Sequence, residues 1–116
     1  MLRPLLFLLK PSFPDPKVGP GSYHCPHCAA VEGLLAWHPE VRARLDVRVV
    51  DFARPRREVI AELSEANQVC PVLILPSEWP NPPSWGRQVN GRTFFVGAAE
   101  IPRFLAEWAG TSLPHP

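Results

Sequence analysis

The sequence has no surplus of charge of either sign: twelve lysines and arginines face eleven aspartates and glutamates, for a formal net charge of +1. A chain that grips nucleic acid, or lies on an anionic membrane surface, needs a positive excess somewhere, so neither partner is expected. Long apolar runs are missing as well. Leu5–Leu9 is unbroken only between Pro4 and Lys10, where a membrane helix would need about 20 residues. Arg3 before that run faintly imitates a secretory leader, but no small-x-small cleavage site follows it, so a cytoplasmic protein is expected. Cysteine is scarce and odd in number, at three. An extracellular disulfide scaffold carries more cysteines and pairs them, so a reducing compartment fits better. There is no glycine-rich phosphate loop, no pair of acids at catalytic spacing and no hydroxyl nucleophile with a convincing base. Asp15 and Asp51 do not single themselves out as general bases. Lysine is almost absent, and the arginine bias that results carries no functional weight.

What is present is a chain of 116 residues, 46% hydrophobic and 20% charged. That length supports one core and one domain over residues 1–116. Residues 4–9, apolar on both faces, predict a buried strand ended by Lys10-Pro11. Residues 11–24 are punctuated by Pro11, Pro14, Pro16, Gly19, Pro20 and Gly21 and read as a stiff irregular loop. A helix is expected from Pro26, the favoured first-turn proline, to about Trp37, with Val31, Leu34, Leu35 and His38 at helical spacing. Residues 40–45 offer a further turn. Residues 46–52 read as a second strand, and a helix from Arg56 to Ala66 carries Val59, Ile60 and Leu63 on one face. Val72–Leu75 is a third buried strand, closed by Pro76. A second proline-rich loop spans 76–89 and holds Trp79 and Trp85, both expected to pack rather than to recognise a partner. Asn90-Gly91 is a hairpin turn signal that delivers Arg92–Val96 as a fourth strand. Ile101, Phe104, Leu105 and Trp108 predict a last helix stopped by Gly110, followed by a loose tail over 111–116. The resulting order, βαβαββα, predicts an α/β fold: a four-stranded mixed sheet with helices on both faces.

The sharpest chemical feature is Cys25-Pro26-His27-Cys28. Two thiols this close at the first turn of a helix can close a small disulfide ring. Cys25 sits among unpaired backbone N–H groups that stabilise a thiolate, which makes it the expected nucleophile. Cys28, one turn inside, is placed to resolve a mixed disulfide. His27, if its imidazole or backbone N–H approaches the Cys25 sulfur, makes that sulfur a better leaving group; otherwise it is a solvent-exposed histidine. His24 precedes the motif and shapes the mouth of the site.

With the motif placed after the first strand, and with Val69-Cys70-Pro71 before the third, the chain resembles the thioredoxin/glutaredoxin superfamily. The stretch Asn90-Gly91 … Gly97-Ala98-Ala99-Glu100-Ile101 is similar to the glutaredoxin ending, and the whole is closest to a group of uncharacterised bacterial thioredoxin-like proteins. The resemblance covers nearly the whole chain apart from the two proline-rich loops. It implies a thioredoxin-like fold and thiol–disulfide exchange, with Cys25 attacking, Cys28 resolving and Pro71 as a cis-proline facing the pair. It also implies that Val69 and Cys70 offer backbone hydrogen bonds to a bound peptide or to glutathione. Expected partners are a protein or a low-molecular-weight disulfide, with glutathione as a cosubstrate and no organic cofactor held. CPHC is shared with a periplasmic disulfide-donating oxidase; that role is not carried over without an export signal.

Cys70 departs from the pattern. Beside Pro71 it brings a third sulfur towards Cys25, as an alternative resolving thiol or as a small buried hydrophobe. A metal or iron–sulfur reading uses Cys25, Cys28 and Cys70, with His24 or His27 as fourth ligand; no second CxxC exists for a zinc ribbon. A third reading is a non-enzymatic binding module with inert cysteines. Tyr23 and Phe13 lead into Cys25 and are expected to wall the site. Arg42, Arg44, Arg48, Arg54, Arg56 and Arg57 read mainly as a solvated face, with Arg56 or Arg57 available to a carboxylate.

Overall fold

A computed structural model describes residues 2–116. The elements run β1 (Leu5–Leu9), β2 (Phe13–Asp15), β3 (Gly19–Tyr23), α1 (Pro26–Trp37), α2 (Pro39–Arg42), β4 (Asp46–Val50), α3 (Arg57–Glu62), β5 (Val72–Ile74), β6 (Arg87–Val89), β7 (Arg92–Val96) and α4 (Gly97–Ala109). The main sheet has five strands in the order β4-β1-β5-β7-β6, and β2-β3 form a separate pair. β1 is an interior strand, parallel to β4 and antiparallel to β5. All five of its side chains are buried, as an apolar run must be when both faces of a strand are covered. Each such Leu or Phe contributes roughly 1.5–3 kcal/mol over its exposed state.

Alternation along β7 shows what covers each face. Phe95 stacks on Phe104 of α4 with ring centroids 4.7 Å apart. Arg92, on the opposite alternation from Phe95, pairs with Glu62 of α3 at 2.7 Å, and from the turn before the strand Asn90 Nδ2 donates to the Leu63 carbonyl at 2.8 Å. Helix α4 therefore lies on one face and α3 on the other. Helix α1 packs beside α4.

Several expectations are corrected. The sheet has five strands rather than four, because Arg87–Val89, inside the expected loop 76–89, pairs with β7. Its turn is the Asn90-Gly91 pair, both with positive φ (50° and 73°), which matches the twist of a two-residue hairpin. Residues 11–24 are not an irregular loop but carry the β2–β3 hairpin. The helix expected to reach Ala66 ends at Glu62. Asn67 Nδ2 donates to Ser64 Oγ at 2.8 Å and the two residues form a bridge, a local alternative that competes with further helix. The second strand stops at Val50, and the extra turn after Trp37 is α2. The tail has no regular structure, although Thr111 is buried. No helix among the described residues is long and apolar enough to cross a membrane.

Candidate active site

Helix α1 begins where Pro26 supplies its first residue and Cys25 its cap. The Cys28 N–H donates to Cys25 Sγ at 3.2 Å, so the sulfur does what a serine or aspartate oxygen does at an ordinary N-cap. A donor is thereby aimed at the sulfur that would carry the charge of a Cys25 thiolate. Cys25 is half-buried and Cys28 buried; all three cysteines are free thiols. Cys28 Sγ accepts from the Leu9 N–H at 3.5 Å, which ties the motif to the end of β1. Burial pushes the Cys28 thiol up to about 12, reinforced by its hydrogen bond to Cys25 and opposed by the Leu9 N–H.

The segment before β5 comes up against this helix start. The Cys70–Pro71 peptide is cis, and the Cys25 thiol lies 4.0 Å from the Cys70 carbonyl oxygen. Cys70 is half-buried, and burial pushes its thiol up to about 11 against the pull of the nearby Arg56 charge. Pro71 is buried, and its carbonyl accepts from the Gly97 N–H at 3.1 Å. His27 does not turn its imidazole to Cys25. Its Nδ1 accepts from the Ala98 N–H at 3.2 Å, where a side chain from another element caps the start of α4. Gly97 suits the turn before it by its backbone, with φ +77°; a Cβ there would only touch His27 Nδ1 at an ordinary 3.6 Å. The first two N–H groups of α4 thus hold both sides of the cysteine site.

A crevice of about 390 Å³ opens beside Cys25, lined by Tyr23, His24, Val69 and Cys70 together with Phe13, Asp15, Phe52, Arg54 and Arg56. Tyr23 and His24 come from the residues before the motif, and Val69 and Cys70 from the segment before Pro71. Tyr23 is half-buried with its hydroxyl donating to the Pro20 carbonyl at 3.1 Å, whereas His24 and Val69 are exposed. Phe13 and Phe52 stack nearly parallel with centroids 4.3 Å apart, docking the β2–β3 hairpin onto the segment after β4. Arg56 lies in this crevice; Arg57 lines neither it nor the adjoining one. Phe52, Arg54 and Asp15 also wall the crevice, which the sequence does not indicate directly. Their only sequence signal is the spacing of Phe13 and Tyr23 around Asp15-Pro16-Lys17-Val18-Gly19, a hairpin hidden by its prolines. Trp79 and Trp85 pack against Phe104, Trp108 and Phe95. Among the described residues no group of three or more His, Cys, Asp or Glu side chains is gathered to hold a metal ion.

A family pattern described as "Protein of unknown function (DUF3088)" matches residues 3–113. The chain belongs to the DUF3088 family. Neither the curated proteins nor the solved structures contain a match to this DUF3088 member. Family membership therefore brings no activity with it, and the chemistry rests on the arrangement around Cys25.

Proposed function

We propose that this protein is a thioredoxin-like thiol–disulfide oxidoreductase working through Cys25 and Cys28. The observation that carries the reading is the Cys28 N–H bonded to Cys25 Sγ at the start of α1, with the crevice open on the other side of that sulfur. The fold supports it. With the β2–β3 hairpin, α2 and the short β6 set aside, the chain order is βαβαββα, the order that the resemblance implies.

In the forward direction the Cys25 thiolate attacks a disulfide RS–SR, forming Cys25–S–S–R and releasing RS⁻. Cys28 then attacks the Cys25 sulfur; its proton leaves with the second R group as RSH, and the Cys25–Cys28 disulfide remains. The substrate gains two electrons and the protein loses two. Burial of Cys28, with its thiol held up near 12, keeps it protonated until the mixed disulfide is in place. Val69 and Cys70 border the bound substrate, His24 and Tyr23 form the mouth, and glutathione or a protein thiol returns the electrons in a cytoplasmic setting.

The test is equilibration against defined glutathione redox buffers, acid quenching, alkylation and mass mapping of each cysteine. A reversible Cys25–Cys28 bond with a midpoint between roughly −120 and −270 mV is expected. A pair that never closes, in buffers that oxidise a control dithiol, removes the reading.

A further inference from the structure

Two arginines and one carboxylate line the crevice beside Cys25, and neither arginine is ion-paired among the described residues, though Arg56 lies over the Phe52 ring at 5.6 Å. Arg56 is only 7% exposed. Its Nε and Nη2 donate to the Phe52 carbonyl at 3.1 and 2.7 Å, and its Nη1 donates to the Gln68 carbonyl at 2.8 Å. Those partners satisfy donors but carry no charge, and a guanidinium taken out of water without a counter-ion is costly. Arg54, on the same wall, has no hydrogen bond or ion pair among the described residues. Of the other cations, Arg42, Arg48, Arg87, Arg92, Arg103 and Lys10 each have a carboxylate partner, whereas Arg3, Arg44, Arg57 and Lys17 have none among the described residues. Asp15 also lines the crevice, yet its Oδ1 accepts from the Lys17 N–H of its own turn at 3.2 Å and reaches neither arginine as an ion pair. Asp15, Arg54 and Arg56 also line an adjoining crevice of about 720 Å³, where Lys17 joins them. His24 and Tyr23 are the remaining titratable groups on the wall besides Cys25 and Cys70.

From this we infer that the site selects disulfides carrying a carboxylate close to the S–S bond, the carboxylate going to Arg54 and Arg56 while the sulfur faces Cys25. The inference rests on the exchange reading for its chemistry, but the selectivity appears in the first step alone. That step is Cys25–S⁻ + RS–SR → Cys25–S–S–R + RS⁻, and the substrate disulfide is itself the oxidant. Arg56 fixes the crevice wall, so Arg54 is the residue to change. An exposed charge acting on a ligand charge is worth a factor of roughly three to five, and it fades with salt as the screening length shrinks.

The experiment uses the reduced full chain and three small disulfides of similar size: 3,3′-dithiodipropionate (dianion), 2-hydroxyethyl disulfide (neutral) and cystamine (dication). Loss of free Cys25 is followed by quenching and mass mapping, with each rate divided by that of the same disulfide with 2-mercaptoethanol. The expected order is dianion, neutral, dication. Arg54→Ala lowers the dianion-to-dication ratio about three- to fivefold, Arg54→Glu lowers it further, Arg57→Ala leaves it unchanged, and high salt compresses it. A cystine peptide flanked by aspartate, compared with one flanked by lysine, separates the sources. Discrimination between the peptides assigns the carboxylate to an acidic side chain, and discrimination among the small compounds alone assigns it to a free thiol acid. Equal normalised rates, or an order that Arg54→Glu does not move, overturn the inference while Cys25–Cys28 closure still stands for the exchange reading. A charge preference with no Cys25–Cys28 bond afterwards keeps the inference and removes the exchange reading. A Cys25 inert to every disulfide removes both.

Discussion

Replacing His27 tests whether the cysteine motif is fastened to α4 by a side-chain cap. The Ala98 N–H is one of the four that open α4 without an intrahelical partner, and His27 Nδ1 takes it at 3.2 Å across 71 residues of chain. That bond requires a lone pair on Nδ1, so the ring proton sits on Nε2. Losing a side-chain N-cap costs about 0.5–2 kcal/mol, and this one is exposed, which places it near the lower half of that range. Alanine at 27 also recovers up to about 0.5 kcal/mol of helix propensity at the start of α1. The net loss for His27→Ala is therefore at most about 1 kcal/mol, no more than a few degrees in Tm. His27→Asn separates the two effects. Asparagine has nearly the helix propensity of histidine, and its side-chain oxygen occupies the place of Nδ1, so it should stay within about 0.3 kcal/mol of the native chain. Urea unfolding measures the global value, and amide hydrogen exchange at Ala98 gives the local one. Protection of that amide should fall in the alanine variant and persist in the asparagine variant. Equal stability of both variants, with Ala98 protection unchanged, would refute the cap.

Asn90→Ala should cost about 1–2 kcal/mol in urea unfolding, because it forces a Cβ-bearing residue without a turn-stabilising side chain to φ 50° and removes the Nδ2 bond to the Leu63 carbonyl; Asn90→Gly should lose only the bond. The thiol of Cys28 makes stability depend on alkaline pH: in the unfolded chain it titrates near 9.0 and in the fold near 12, so between those values the unfolded state holds fewer protons and stability falls as pH rises. The slope is at most about 1.4 kcal/mol per pH unit, and unfolding of the reduced chain at pH 7 and pH 10 should show a larger drop for the native protein than for Cys28→Ala; parallel drops would contradict it.

Parts of this fold are legible along the chain because they depend on neighbours in sequence. The apolar run of β1, the Pro26 start of α1, the Asn90-Gly91 turn and the Ile101–Phe104–Leu105–Trp108 stripe each contain their own instruction, and each lies where the pattern puts it. The βαβαββα skeleton follows from them. The hairpin β2–β3 does not announce itself. Phe13-Pro14-Asp15 and Gly19-Pro20-Gly21-Ser22-Tyr23 have too many prolines and glycines to alternate, and what holds the hairpin in place is the Phe13–Phe52 stack, a contact 39 residues long in sequence. β6 is short and polar, and only its register against β7 makes it a strand.

The same division runs through the site. The roles of Cys25 and Cys28 depend on being three residues apart at a helix start, so the motif itself suggests them. His27 illustrates the opposite case: read locally, it either approaches the Cys25 sulfur or lies in solvent, and only the arrival of α4 gives its imidazole a partner. Arg56 is similar, since an arginine in a basic stretch reads as solvated until Phe52 and Gln68 close over it. What such long-range contacts add is the surroundings of the sulfur rather than its chemistry. Under the exchange proposed above, the dithiol determines which bond is exchanged, and the hairpin and the Phe52–Arg56 segment, which wall the crevice, determine whose disulfide reaches it.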